Sequence, residues 1–213
     1  MKALLRFIDK GLFRATWRLA RSRVLHRIRT AVFLNDPNYD FYFDRVDEAL
    51  ELIARYDPKT MEEIQRHFDG ILVLGSERFR LGHWNDNAKL CVITGPHLAS
   101  SASSPELVAL TLVHENMHAR LCAAGISYRD GRRAPVEVIC AMAELAFARR
   151  IPHSVELVER AERRLDNAAR SVEERWSNET QRGAVLEHLR TLGSPIWFVK
   201  LVGWLSRVFH RAA

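Results

Sequence analysis

One stretch of the chain, residues 104–125, carries apolar side chains in a pattern that leaves little room for a solvent-exposed face. Ser104 can cap a helix that begins with Pro105, and Glu106 in the first turn complements the helix dipole. Gly125 stands where such a helix is expected to end. The pattern predicts one buried helix. Its apolar positions are Leu107, Leu110, Val113, Met117 and Leu121.

Shorter patterns before this helix predict further helices and a sheet. Residues 43–56 repeat apolar positions at helical spacing, and Pro58 follows at the start of another helix. Four consecutive apolar residues, 71–74, predict the first strand, and residues 79–94 predict a hairpin. We therefore predict an α+β fold, mostly helical, with a small antiparallel sheet and amphipathic helices at both ends.

The two ends of the chain differ from its middle. Residues 1–30 hold nine Lys or Arg and one acid, with apolar residues between the cations, which predicts amphipathic helices. The predicted division is a basic helical arm over residues 1–34, a central domain over 35–152, and a C-terminal helical segment over 153–213 that packs on it. The last stretch, residues 195–213, combines aromatic residues with cations and has no acid.

Cations interrupt the apolar residues of the arm every few positions, which is not the pattern of a secretory signal peptide. Three cysteines without a C-x-x-C pair suit a reducing compartment, so we predict a cytoplasmic protein. Two uses of the basic ends stay open: packing on the domain, or contact of residues 1–34 and 195–213 with the anionic inner face of a membrane. Interleaved aromatic and basic residues alone are weak evidence for a nucleic-acid partner.

The buried helix carries His114, Glu115 and His118 in the pattern H-E-x-x-H. Histidines four residues apart lie on one face, so two neutral imidazoles can bind one Zn²⁺ ion. The glutamate after the first histidine is placed as the general base that acts on the activated water. The alternative is a pair of core histidines with satisfied hydrogen bonds and a glutamate at the helix surface. Two buried histidines without partners would be costly, which favours the metal.

A catalytic zinc site needs a third protein ligand and keeps its fourth position open. The next predicted helix, residues 133–150, offers Glu137 and Glu144 in an otherwise apolar run, and their separation of seven puts both on one face. The alternative is that one or both form ion pairs with nearby arginines, which are Arg132, Arg133 and Arg149.

This order of motifs resembles the gluzincin branch of zinc metallopeptidases, and the compact minigluzincins in particular, over roughly residues 40–150. The resemblance implies a zincin-like domain that holds one zinc ion per chain, with Glu137 as the third ligand. The family's acidic residue four positions after that ligand is absent, because Ala141 stands there. Glu144 is therefore predicted to support a ligating histidine, or to replace Glu137 as the ligand.

The resemblance also implies an edge strand that binds an extended peptide through main-chain hydrogen bonds. The predicted strand includes Ala88, Lys89, Leu90, Cys91 and Val92, whose other possible role is simply that of a sheet edge. Tyr128, between the two metal-bearing helices, is predicted to stabilise the developing oxyanion, and the other candidates are Arg129, His97 and His153.

We predict a zinc-dependent metallopeptidase that hydrolyses peptide bonds of a peptide or protein substrate. Whether its terminal segments keep the enzyme latent stays open. The alternative is a non-catalytic metal-binding or membrane-associated interaction protein on the same scaffold. Three protein ligands favour the enzyme, since structural zinc sites are normally closed by four. Hydrolysis of nucleic acids is not favoured, because the sequence has no carboxylate cluster for paired metals.

Overall fold

The computed structural model describes residues 15–34, 38–75, 81–100, 103–126 and 133–170, together with residues 196 and 200. These residues form a mixed α+β fold. Its elements, in chain order, are β1 (Arg21–Leu25), β2 (Ile28–Phe33), α1 (Tyr39–Tyr56), α2 (Pro58–His67), β3 (Gly70–Leu74), β4 (Gly82–Asn85), β5 (Leu90–Thr94), α3 (Gly95–Ala99), α4 (Pro105–Ala123), α5 (Arg133–Ala148) and α6 (Val155–Arg170).

The five strands form one mixed sheet in the order β1-β2-β3-β5-β4. Strands β2, β3 and β5 are parallel, whereas β1 and β4 pair antiparallel with their neighbours. The prediction of a purely antiparallel sheet is therefore wrong. Helices α1 and α2 separate β2 from β3 and form the crossover that a parallel pair needs. The predicted hairpin is confirmed, since β4 and β5 pair with Gly82 opposite Ile93.

The N-terminal part of the sheet replaces much of the predicted helical arm. Residues 15–19 are helical, but residues 21–33 form the β1–β2 hairpin. Its two turn residues, His26 and Arg27, have φ angles of 49° and 63°. Because β2 pairs with β3, this hairpin belongs to the same sheet as the central residues. Residues 1–14 of the predicted arm lie outside the described residues.

Arg23 in β1 forms ion pairs that link the β1–β2 hairpin to α1. Its guanidinium lies 2.9 Å from Asp40, 2.6 Å from Asp44 and 3.1 Å from Asp47. These carboxylates repeat at helical spacing, so one face of α1 meets one cation of the strand. Exposed pairs of this kind each contribute little, but together they orient the hairpin.

The core lies on both faces of the sheet. Ile71 and Val73 in β3 belong to the main core, which includes the buried side chains of α1 and α4. Leu72 and Leu74 point to the opposite face, where Trp17 of the N-terminal helical residues packs. Alternate residues of β3 are therefore buried on both sides, as expected for an internal parallel strand.

Helix α4 is the buried helix that the sequence predicts, and it begins at Pro105. Helix α2 supports it from one side: Glu63 of α2 is buried and lies 2.9 Å from Arg120 of α4. Helix α2 is itself capped by Asp57, which accepts a hydrogen bond from the backbone N–H of Thr60 at 3.2 Å. The ion pair between Glu63 and Arg120 therefore joins the capped helix α2 to α4.

Strand β4 lies close beside α4. A Cβ atom at Gly82 would lie 2.9 Å from the carbonyl oxygen of Val92 and 3.1 Å from Cγ2 of Thr111. Thr111 is one turn before His114, so β4 runs beside the half of α4 that leads into the H-E-x-x-H motif. Within the described ranges, we find no helix with the length and apolar character that crossing a membrane requires.

Candidate metal centre

Two packed helices, α4 and α5, bring the predicted site residues together. His114, Glu115 and His118 are buried on α4. On α5, Glu137 and Glu144 lie seven residues apart and therefore on the face that meets α4. Both carboxylates contact the histidines: Glu137 lies near His114 and His118, and Glu144 contacts His114.

The inner nitrogen atoms of both histidines converge on Glu137. His114 Nε2 lies 3.0 Å from His118 Nε2 and 3.4 Å from Glu137 Oε2. His118 Nε2 lies 3.6 Å from Glu137 Oε1. Ligand atoms around a tetrahedral zinc with bonds of 2.0–2.1 Å are about 3.3 Å apart. The three side chains therefore have the spacing of ligands that share one small cation.

The outer nitrogen of His114 is held by a buried carboxylate. His114 Nδ1 contacts Oε1 of Glu144, whose side chain is fully buried. The second carboxylate oxygen, Oε2, lies 2.8 Å from Nη1 of Arg164 in α6. A carboxylate at Nδ1 fixes the orientation of an imidazole and leaves Nε2 as the nitrogen available to a metal.

The outer nitrogen of His118 faces a thiol. Cys140 Sγ lies 3.3 Å from His118 Nδ1, and Cys140 is buried on the same face of α5 as Glu137. His114, His118 and Cys140 form a buried group that could hold a metal ion, with donor atoms within 4.8 Å of one another. Two donor sets thus share the histidines: Glu137 faces their Nε2 atoms, and Cys140 faces Nδ1 of His118.

Burial and charge shift the proton affinities of the site. Burial alone would lower the pKa of His114, but Glu144 and Glu137 outweigh it and raise the pKa to about 10. Burial, together with the charge of His114, lowers the pKa of His118 to about 3. Burial raises the pKa of Glu115 to about 7. Burial also raises the pKa of the Cys140 thiol well above its ordinary value.

Glu115, between the two histidines in the motif, has one carboxylate oxygen without a described partner. Its side chain is buried, and Oε2 has no hydrogen-bond partner among the residues that the structure describes. A buried carboxylate oxygen without a partner is costly, so a further polar group is expected to meet it. A water molecule held between Glu115 and a bound cation would satisfy this oxygen.

The predicted substrate strand is not an edge strand. Ala88 and Lys89 lie in the turn after β4, and the remaining three residues, Leu90, Cys91 and Val92, lie in β5. Strand β5 pairs with β3 on one side and β4 on the other, so its main-chain groups are already used. Among the described strands, the edge beside α4 is β4.

The candidate oxyanion donors are only partly described. Tyr128 and Arg129 lie outside the described residues, and His153 is exposed. His97 is buried in α3, and its Nε2 has no hydrogen-bond partner within the described part of the chain. Of the predicted alternative ion pairs, Arg149 instead lies 3.2 Å from Glu162 in α6.

Sequence reasoning missed two residues that contact the site. Cys140 follows Glu137 by three positions, so helical spacing could have placed it on the same face, but nothing in that spacing identifies a partner. Arg164 belongs to a different helix, and only the packing of α6 on α5 brings it to Glu144.

Comparison of the chain with protein-family models, curated proteins and solved structures finds no match.

Proposed function

We propose that this protein is a zinc-dependent metallopeptidase in which His114, His118 and Glu137 bind one zinc ion and Glu115 is the general base. The observation that carries the proposal is the convergence of both Nε2 atoms and the Glu137 carboxylate at 3.0–3.6 Å. Two imidazoles and a carboxylate with an open position are a donor set typical of catalytic zinc.

The ring nitrogens favour Glu137 over Cys140 as the third ligand. Glu144 contacts Nδ1 of His114, which leaves Nε2 for the metal. His118 must then use the nitrogen that faces the same point, and its Nε2 lies 3.0 Å from that of His114. Cys140 lies on the other side of the His118 ring, at Nδ1, where a neutral thiol can exchange a weak hydrogen bond.

Zinc bound there would supply Lewis-acid activation of water and of the scissile carbonyl group. Glu115 accepts a proton from the attacking water as the new C–O bond forms. It then delivers that proton to the leaving amine as the C–N bond breaks. The free Oε2 atom of Glu115 is the one available for this transfer.

An extended peptide substrate suits the edge strand β4. Its outer edge has no strand partner among the described strands, so a peptide could add to the sheet there by main-chain hydrogen bonds. The close approach of Gly82 to Thr111 supports this assignment, because it brings that edge beside the metal-bearing helix. Cytoplasmic location and peripheral membrane contact through residues 1–34 and 195–213 stay predictions.

The first test is the zinc content of the purified full chain by elemental analysis. We expect about one zinc per chain, and loss of it in His118→Ala and Glu137→Ala. Glu115→Gln should keep the metal and cleave a peptide library about 10²–10⁴-fold more slowly. Wild-type zinc content in Glu137→Ala, or unchanged cleavage by Glu115→Gln, would contradict the proposed roles.

A second candidate function follows from Cys140. Its thiol forms, with His114 and His118, a buried group that could hold a metal ion, and thiolate ligands are common in zinc sites that only stabilise a fold. Cys140→Ala separates the two candidates. A catalytic site of two histidines and Glu137 keeps its zinc in this variant, whereas a closed structural site that includes the thiol loses it.

A further inference from the structure

Helix α6 supplies a cation to the buried carboxylate behind the candidate metal centre. Arg164 Nη1 lies 2.8 Å from Glu144 Oε2, while the other oxygen of Glu144 contacts His114 Nδ1. The Glu144 side chain is fully buried, whereas that of Arg164 is 31% exposed. Arg164, Glu144 and His114 therefore form a chain of contacts that runs from the surface of α6 to the Nδ1 atom of His114.

Oε1 of Glu144 contacts His114, whereas Oε2 forms an ion pair with Arg164 at 2.8 Å whose angles are not those of a hydrogen bond. A buried carboxylate that loses its cation is left with an uncompensated charge, which is strongly destabilising. Without Arg164 the carboxylate would turn toward solvent or recruit water, and its contact with His114 would loosen. The imidazole would then lose the partner that orients its Nε2 toward His118 and Glu137.

We propose that Arg164 is a positioning residue that sets the metal affinity of the site through Glu144 and His114. This inference rests on the proposed function, since it assumes that His114 binds the metal through Nε2. It also makes α6 part of the metal centre. A change that moves α6 away from α5 would then weaken metal binding without touching any ligand.

The test compares Arg164→Ala with Arg163→Ala in the full chain. Arg163 directly precedes Arg164 on α6 and lies 3.6 Å from Glu159 on the same helix, with both side chains exposed. The control therefore removes the same charge from the same helix without reaching Glu144. Zinc affinity is measured by competition with a chromophoric chelator, and the site geometry by the absorption spectrum of bound Co²⁺.

We expect Arg164→Ala to bind zinc about 10–100-fold more weakly and to change the Co²⁺ spectrum, as is typical when a group that orients a ligand is removed. Arg163→Ala should match the wild type in both measurements. Arg164→Lys should recover most of the affinity, because one ammonium group can replace the single Nη1 contact. Arg164→Gln, which keeps most of the side-chain volume, serves if the alanine variant does not fold.

A double-mutant cycle separates positioning from a general loss of structure. If Arg164 acts through Glu144, its replacement should have little further effect on zinc affinity in a Glu144→Gln background. Equal affinities and spectra for Arg164→Ala and Arg163→Ala, or fully additive effects in the cycle, would overturn the inference while leaving the proposed function intact. A wild-type chain that binds no zinc would overturn both.

Discussion

His97 makes the stability of this protein depend on pH, and replacing it with leucine should remove that dependence. Its side chain is 8% exposed, and Nε2 has no hydrogen-bond partner within the described residues. Burial lowers the pKa of His97 from 6.5 to about 4, and the positive charges of Arg160 and Arg164 add to the shift. The folded protein therefore keeps this imidazole neutral at pH values where the unfolded chain protonates it.

The sign follows from this difference in proton affinity. Well above pH 6.5 neither state protonates His97, so its contribution to stability is fully present. As the pH falls from 6.5 toward 4, the unfolded chain binds a proton that the folded protein does not, and the free energy of unfolding decreases. At about 1.4 kcal/mol per pKa unit, the loss reaches roughly 2–3 kcal/mol near pH 4.5.

Urea unfolding followed by circular dichroism at pH 7.5 and pH 4.5 measures the effect. The stability of His97→Leu relative to the wild type should rise by roughly 2–3 kcal/mol on acidification, since contributions from other groups are common to both proteins. His153→Asn, which replaces an exposed histidine with φ 56° by a residue that tolerates this backbone conformation, is the matched control. A difference between His97→Leu and wild type that does not change with pH would refute the reasoning.

Two further predictions concern the backbone. Arg27→Gly, at an exposed turn position with φ 63°, should raise the free energy of unfolding by about 0.5–1 kcal/mol, because glycine adopts this conformation without steric cost; a lower midpoint in urea would contradict this. Gly82→Ala should lower that free energy by about 1–3 kcal/mol, because its Cβ would meet the Val92 carbonyl at 2.9 Å. Gly75→Ala, which meets only the Leu34 side chain at 3.2 Å, is the near-neutral control, and equal stability of the two alanine variants would argue against the close contact.

The helices were predictable because their ends carry local signals. Pro105 begins α4, and Pro58 begins α2 beside its capping residue Asp57. Such signals depend on a few neighbouring residues and hold in any tertiary context. The β1–β2 hairpin carries no comparable signal. Its turn residues are His26 and Arg27 rather than the Asn-Gly or Asp-Gly that usually marks two residues with positive φ.

The order of the strands in the sheet could not be predicted from local sequence patterns, for a different reason. The apolar residues of β3 and β5 identify strands, but their neighbours depend on how the chain crosses the sheet. The path through α1 and α2 places β3 parallel to β2, and β5 then enters on the other side of β3. The predicted substrate edge at β5 is wrong for this reason, since β4 occupies the outer position.

The candidate site could be predicted as far as helical spacing extends. His114 and His118 face one way because they are four residues apart, and Glu137 and Glu144 share a face because they are seven apart. Which glutamate meets which ring nitrogen depends on the rotation of α5 against α4. That rotation is determined by the packing of many side chains, so the opposing positions of Glu137 and Glu144 around His114 emerge only in the folded chain.

The charges of the site give an independent physical reason for a divalent cation. Three carboxylates, those of Glu115, Glu137 and Glu144, lie around the two histidines, and Arg164 forms an ion pair with Glu144. With both imidazoles neutral, these three carboxylates and Arg164 together have a formal charge of −2 in a largely buried space. The raised pKa of His114 expresses the same imbalance, because the carboxylates of Glu144 and Glu137 favour its protonated form in the metal-free site. A divalent ion at the Nε2 atoms would balance this charge and displace that proton, which couples metal binding to proton release.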